Sequence, residues 1–261
     1  MEKIFIKNRK NQKLAVVIEK SKNQKGLSFV VHGLGGYKEQ KNIRTMTQAF
    51  LDNDYTVVTF DTANTFGESD GCYDDATVTN YYEDLEDVLD WSKSQAWYQE
   101  PFCLTGHSLG GISVALFAEK FPWKVKSLAP IATVVSGKLS AEKERTPEDK
   151  KEFNNWKKYG YKEVSSNSKP GMNGKLKWSH MEDRMRYDLL PEVGKLTMPV
   201  LLIVGTKDTS TPVDQQKILF EALPIGAKEL HIIDGAPHTI RESEHLDILY
   251  GFFDKWIKGL K

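Results

Sequence analysis

A serine hydroxyl is a weak nucleophile until a neighbouring base takes its proton. A serine that does chemistry must therefore be held where a histidine can reach it. Two serines of this chain stand in the pattern Gly-x-Ser-x-Gly: Ser69 in "GESDG" (67–71) and Ser108 in "GHSLG" (106–110). Spacing does not separate them, but their surroundings do. Ser108 follows the apolar run "PFCLTG" and leads at once into "GISVALFAEK", which has helical periodicity. A sharp strand-to-helix turn lifts a hydroxyl above the carboxyl edge of a sheet. It also puts free N–H groups and the positive end of a helix dipole behind that hydroxyl. Ser69 follows the loop "TANTF" and precedes "DGCYDD", which opens no helix. Ser108 is the candidate nucleophile, and "GESDG" a coincidental match.

Of the six histidines, His238 in "DGAPHT" lies just past the apolar run 228–234, on a loop at the edge that carries Ser108. It is the candidate base. A lone loop histidine is ordinarily just solvent-exposed; the presence of Ser108 gives this one a task. The base needs an acid to hold its tautomer and stabilise the imidazolium. Asp208 in "IVGTKDTSTP" follows the apolar run 199–205, again at the carboxyl edge, and Asp214 is the alternative, expected inside the next helix. Without the other two residues, Asp208 would read as a turn or cap residue near Pro212. The charge that develops on an attacked carbonyl needs two N–H donors. One is expected from Leu109, next to the nucleophile. The other is expected from "HGLGG" (32–36), at Leu34, where the alternative is a flexible glycine turn.

These residues must be positioned by a sheet. "KIFIK" and "KLAVVIE" read as a leading hairpin, and 27–32, 55–61, 101–106, 124–131, 199–205 and 228–234 as further strands. Helical spacing marks 41–51, 79–95, 109–120, 213–223 and 240–258. Apolar strands alternating with helices predict an α/β fold with a parallel sheet covered on both faces. Residues 136–198 break this rhythm: 24 of the 63 are Asp, Glu, Lys or Arg, against 28% for the chain. The segment is too long for a plain connection. Helical pieces are expected near 141–159 and 178–190, around the turn-rich "SSNSKPGMNG". It reads as a cap on a core made of 1–135 and 199–261. Trp156, Tyr159, Trp178 and Met181 are its candidates for lining a substrate pocket, although any one of them could simply hold the cap to the core.

The 261 residues suffice for one large domain. Lys plus Arg equals 36 and Asp plus Glu equals 36, so the charge balance gives no reason to expect nucleic acid or an acidic membrane surface as partner. No apolar run reaches about 18 residues, so no transmembrane helix is expected. The first twenty residues alternate apolar and charged types and lack the core of a signal peptide. Two cysteines, Cys72 and Cys103, are too few for a disulfide scaffold, which points to a cytoplasmic protein with reduced thiols.

In order, "HGLGG", "FDTANTFGESDG", "GHSLGG", "PVLLIVGTKD" and "GAPHT" resemble the motifs of the α/β-hydrolase superfamily over nearly the whole chain. Within it the chain is similar to serine-aminopeptidase-like and feruloyl-esterase-like bacterial carboxylesterases with a compact cap. It departs where that branch reads like "DLRGFGES" and this chain reads "DTANTFGES". The resemblance implies an eight-stranded, mostly parallel sheet with helices on both faces and a small cap insertion. It further implies ester hydrolysis through an acyl-enzyme formed on Ser108, with Asp208 and His238 completing the triad and no cofactor or metal. The partner expected is a small-molecule ester of short-chain or aryl type; a homodimer stays open. An aminopeptidase or amidase, a monoacylglycerol lipase or lysophospholipase, and a ligand-binding receptor on the same fold are the competing readings.

Overall fold

The computed structural model describes residues 1–143, 145–165, 169 and 171–260. Its strands are β1 (Glu2–Lys7), β2 (Lys13–Glu19), β3 (Gly26–Val31), β4 (Tyr55–Phe60), β5 (Phe102–His107), β6 (Val125–Ile131), β7 (Tyr161–Ser165), β8 (Asn173–Lys177), β9 (Val200–Lys207) and β10 (Lys228–Pro237). Its helices are α1 (Lys41–Asp52), α2 (Val78–Ser92), α3 (Leu109–Lys120), α4 (Gly137–Glu142), α5 (Pro147–Tyr159), α6 (Ser179–Arg184), α7 (Val213–Ala222) and α8 (Ser243–Gly259).

One sheet of eight strands runs in the order β1-β2-β4-β3-β5-β6-β9-β10. β2 pairs antiparallel with both β1 and β4, and the remaining pairs are parallel. Successive residues of a strand face opposite sides of the sheet, and the apolar runs supply both sides. Phe29, Val31, Leu104 and Leu202 join the core under α2 and α3, with Tyr81, Leu85, Leu109 and Ile112. Val30, Cys103, Leu201 and Ile203 join the core under α1 and α8, with Ile43, Phe50, Phe253 and Trp256. A parallel sheet covered on both faces follows.

Strand order reverses at β3, which has β4 on one side and β5 on the other. Connections leaving the two neighbours β3 and β5 then diverge, which opens a crevice at their carboxyl ends. "HGLGG" leaves β3 there, and Ser108 leaves β5.

Between β6 and β9, residues 136–198 form α4, α5, the separate β7–β8 hairpin and α6. The helical reading of 141–159 divides in two because Thr146 and Pro147 begin a new helix. The Thr146 side chain accepts from the Asp149 N–H at 3.1 Å, and Pro147 fits the first helical turn. Gly160 closes α5 with φ 80°, a left-handed value that suits glycine. The helical reading of 178–190 survives only as α6. The β7–β8 hairpin is a difference from the expectation. Its strands carry Lys162, Glu163, Lys175 and Lys177, and only Leu176 is buried, so they give little apolar alternation to read. Ser166, Asn167, Ser168 and Pro170 of the expected turn lie outside the described residues. No helix among the described residues is long and apolar enough to cross a membrane.

Candidate active site

Ser108 stands between β5 and α3 with φ 54° and ψ −110°. That is a strained conformation for a residue with a side chain, costing on the order of 1–3 kcal/mol. The surroundings impose it. The Ser108 N–H donates to the Ile131 carbonyl at 2.9 Å. Gly110 lets the start of α3 press onto β3; a Cβ there would lie 2.4 Å from the His32 carbonyl oxygen. Although Ser108 occupies the cap position of α3, its side chain makes no capping hydrogen bond. The hydroxyl is turned toward His238 instead.

Ser108 Oγ lies 2.9 Å from His238 Nε2, and His238 Nδ1 lies 2.8 Å from Asp208 Oδ2. A single tautomer satisfies both bonds: Nδ1–H donates to the carboxylate and Nε2 accepts the serine proton. Asp208 is buried, and its Oδ1 accepts from the N–H groups of Ser210 and Thr211, each at 2.8 Å. Burial raises this carboxyl, but the bonds from His238 and Thr211 outweigh it and hold the group below its ordinary value. Asp214 lies in the first turn of α7, solvent-exposed, and makes no ion pair with His238.

Sequence reasoning missed several residues that hold this arrangement. His107 Nε2–H donates to the His238 carbonyl at 2.8 Å. Burial, then the charge of His238, pushes His107 down to about 3, so it stays neutral and keeps that role. Thr211 Oγ1 sits 2.8 Å from the Ala132 carbonyl and 2.9 Å from Asp208 Oδ2, with one proton for the two acceptors. The Gly33 carbonyl receives His32 Nδ1–H at 2.8 Å and the Tyr81 hydroxyl at 3.0 Å. A trans peptide is planar, so its C=O and the next N–H point in opposite directions. Fixing the Gly33 carbonyl therefore turns the Leu34 N–H the other way. Leu109 opens α3, where an N–H has no intrahelical acceptor. The only sequence signal for Tyr81 was its place on the apolar face of α2, which also fits plain packing.

Ser69 is accounted for differently. Its hydroxyl donates to the Asp61 carbonyl at 2.6 Å and accepts from the Ala15 N–H at 2.9 Å, bracing β2 against the end of β4. Nearby, the buried Asp61 accepts from the Lys38 N–H and from Lys38 Nζ, at 2.8 and 2.7 Å. This ion pair ties the loop after β3 to the end of β4.

A cavity of about 860 Å³ opens over Ser108 and His238, lined also by Gly33, Leu34, Leu109 and Asp208. Its opposite wall comes from residues 140–184, with Trp156 and Met181 among the lining groups. Tyr159 and Trp178 are not. Tyr159 is solvent-exposed; Trp178 packs edge-on against Trp156, with ring centres 5.2 Å apart. Among the described residues no group of His, Cys, Asp and Glu is arranged to hold a metal ion.

The family model of the X-Pro dipeptidyl-peptidases (S15 family) matches residues 10–238, a span that ends on His238. The chain belongs to the S15 family. An uncharacterised 31.7 kDa protein of the traX-finO intergenic region of Escherichia coli is 25% identical, over 89% of this chain and 90% of its own. The mitochondrial palmitoyl-protein thioesterase ABHD10 of Bos taurus is 24% identical, over 83% of this chain and 66% of its own. Two solved structures superpose with TM-scores of 0.79: Est1E from Butyrivibrio proteoclasticus with ferulic acid bound, and mouse α/β-hydrolase domain-containing protein 10. Est1E is 20% identical and covers 98% of both chains; the mouse protein is 21% identical and covers 100% of both. This S15-family chain thus has the α/β-hydrolase fold that its motifs resemble, and it is a member of the serine hydrolases built on that fold.

Proposed function

We propose that this protein hydrolyses carboxylic esters of short-chain or aryl type through an acyl-enzyme, with Ser108 as nucleophile, His238 as general base and Asp208 as its orienting acid. The observation that carries this reading is the hydrogen-bonded run Ser108–His238–Asp208, 2.9 and 2.8 Å, facing a cavity. In the first half-reaction Ser108 Oγ attacks the ester carbonyl carbon while its proton passes to His238 Nε2. Negative charge on the carbonyl oxygen is met by the N–H groups of Leu34 and Leu109. The tetrahedral adduct collapses, the C–O bond to the alcohol breaks, and His238 returns the proton to the leaving oxygen. Water then repeats the sequence on the acyl-serine, giving the acid and free Ser108. Residues 136–198 act as the cap, and Trp156 and Met181 form an apolar part of the pocket wall.

The family's name suggests a second reading, cleavage of peptides from the amino terminus. A dipeptidyl-peptidase must receive a terminal ammonium; the cavity carries Lys143, Arg145 and Arg184, which would repel one, beside the exposed carboxylates Asp149, Glu152 and Asp214, so its lining does not single out an ammonium. These charges also suit a long apolar acyl chain poorly. The test is a rate panel of nitrophenyl esters, aryl esters and aminoacyl amides, together with a fluorophosphonate label. Label and turnover are expected to disappear in Ser108→Ala and to persist in Ser69→Ala. Amide turnover above ester turnover would move the assignment to the peptidases. Tight ligand binding by an unlabelled, inactive protein would move it to a receptor.

A further inference from the structure

The charged groups around the cavity are not evenly answered. Lys162 pairs with Glu152 at 3.6 Å, and Asp208 is engaged by His238. Lys143, Arg145 and Arg184 remain, facing Asp149 and Asp214, which are both solvent-exposed. Among the described residues no carboxylate lies within the 4.0 Å ion-pair distance of these three cations. Lys143 Nζ is spent on the carbonyls of Thr209 and Ser210. Arg145 donates to the carbonyls of Ser140, Ala141 and Lys143 at 2.7, 2.8 and 2.9 Å and lies over the Phe153 ring. Arg184 is different. Its half-buried side chain makes no hydrogen bond or ion pair among the described residues, and its Nε is enclosed without a partner.

A guanidinium has five donors and is costly to leave unanswered away from water. Burial, then the charge of Arg145, pushes Arg184 down to about 10, so it stays charged at neutral pH. Its neighbour one turn back on α6, His180, supplies no negative charge. His180 Nδ1–H is bound to the Ala76 carbonyl at 2.9 Å, and burial, then the charge of Arg184, pushes that ring down to about 3. The cavity that holds Ser108 therefore contains a cluster of three cations that none of its carboxylates reaches at ion-pair distance among the described residues, and of the three only the Arg184 side chain has no hydrogen-bond partner there.

We propose that this corner is an anion subsite: Arg184, reinforced by the fields of Arg145 and Lys143, receives an oxyanion, carboxylate or phosphate, carried by the ester away from its scissile bond. The planar guanidinium fork matches such groups in a way that an ammonium does not. The inference rests on Ser108 being the nucleophile and narrows the substrate class to anionic esters.

The test compares charged and neutral partners of similar size. The pairs are the nitrophenyl half-ester of adipate against nitrophenyl hexanoate, and acetoxybenzoate or acetoxyphenyl phosphate against phenyl acetate. The charged ester is expected to have kcat/KM at least tenfold higher in one pair, which also tells whether acyl or alcohol carries the charge and whether carboxylate or phosphate is preferred. Arg184→Gln should reduce that charged-to-neutral ratio by about tenfold to a hundredfold, and Arg184→Lys should restore part of it. Because Arg184→Gln removes a half-buried charge without a partner, its Tm should equal or exceed that of the wild type; a mere structural brace would lower it. Equal rates on charged and neutral esters in the wild type would overturn the proposal, as would a ratio unchanged by Arg184→Gln. Should no ester turn over and Ser108 resist labelling, the hydrolase reading fails separately. The subsite is then judged by calorimetric binding of adipate to Ser108→Ala: binding that Arg184→Gln abolishes sustains it, and absence of binding overturns it.

Discussion

At the residue scale, the chemistry is organised by hydrogen bonds that leave each group one arrangement. Asp208 has its Oδ1 occupied by two backbone donors, so only Oδ2 is left to set the His238 ring. Asp208→Asn keeps the shape and the turn but presents an amide where the imidazolium needs a charge. The expected outcome is a folded protein with kcat lower by a factor on the order of 10⁴, the magnitude seen for the same change in serine proteases. Full activity in this variant would move the acid elsewhere, and Asp214→Asn would be measured next. A second titratable group affects stability and takes no part in the chemistry. Glu119 of α3 is buried with one oxygen unpartnered, and burial, then the charge of Glu192, pushes its carboxyl up to about 8. The unfolded chain releases this proton near the ordinary glutamate value, about 4.3. Between the two values the folded state binds more protons, so stability is complete below the ordinary value and is lost as pH rises toward 8. Glu119→Gln should therefore reduce the fall in Tm between pH 5 and pH 8.5. A variant whose melting profile tracks the wild type at both pH values would exonerate this carboxyl.

At the element scale, the crevice between the carboxyl ends of β3 and β5 brings two turns together, and each depends on helices packed against the sheet. The loop after β3 is held through the Gly33 carbonyl by Tyr81, a buried residue of α2. Tyr81→Phe preserves the ring and its edge contact with His32, whose ring centre lies 5.5 Å away, but removes the donor. If that bond orients the Leu34 N–H toward developing negative charge, kcat should fall about tenfold with little change in KM, since the donor acts on the transition state. A fall in Tm with unchanged kcat would reduce Tyr81 to packing. The ion pair of Lys38 with Asp61 braces the same loop from its far end. The "GESDG" segment thus contributes structure, with Ser69 stitching β2 to β4.

At the scale of the whole molecule, the carboxyl edge of the sheet carries Ser108, Asp208 and His238, and residues between 140 and 184 line the cavity facing them, the arrangement on which the proposed cap rests. The segment is anchored on the body: Asp183 accepts from the Thr79 N–H at 2.9 Å, and the Lys175 N–H reaches Asp74 at 3.0 Å. Replacing 136–198 with a short linker should leave the nucleophile turn and both N–H donors in place, so acetyl esters should still react. Larger aryl esters should lose more, because binding energy far from the scissile bond would be gone. A cooperative melt must accompany the measurement, since the deletion bares body surface. The milder pair is Trp156→Ala and Trp178→Ala. Trp156 lines the cavity, and its truncation should change the ratio of kcat/KM between acetyl and bulky esters. Trp178 packs behind it, and its truncation should lower Tm by several degrees and leave the ratio unmoved. Ratios that respond equally to both, or to neither, would remove specificity from this wall.

Local pattern in the chain was enough to determine the sheet, its covering helices and the positions of Ser108, Asp208 and His238. Each depends on short-range signals: a strand-to-helix turn, a loop just past an apolar strand, periodicities of 2.0 and 3.6. The division of 141–159 at Thr146 and Pro147 was not read from the sequence, although a threonine followed by proline is a local signal for the start of a new helix. Tertiary structure alone decided the rest. No local rule brings Tyr81 to the Gly33 carbonyl, or His107 to that of His238, because these contacts join residues far apart in the chain across packed layers. The β7–β8 hairpin hid in a lysine-rich stretch because it packs little apolar surface. Arg184 looked like one charge among 24 in its segment. Only the packing of that segment put it in the wall of the cavity that holds Ser108, with its Nε enclosed and unpartnered.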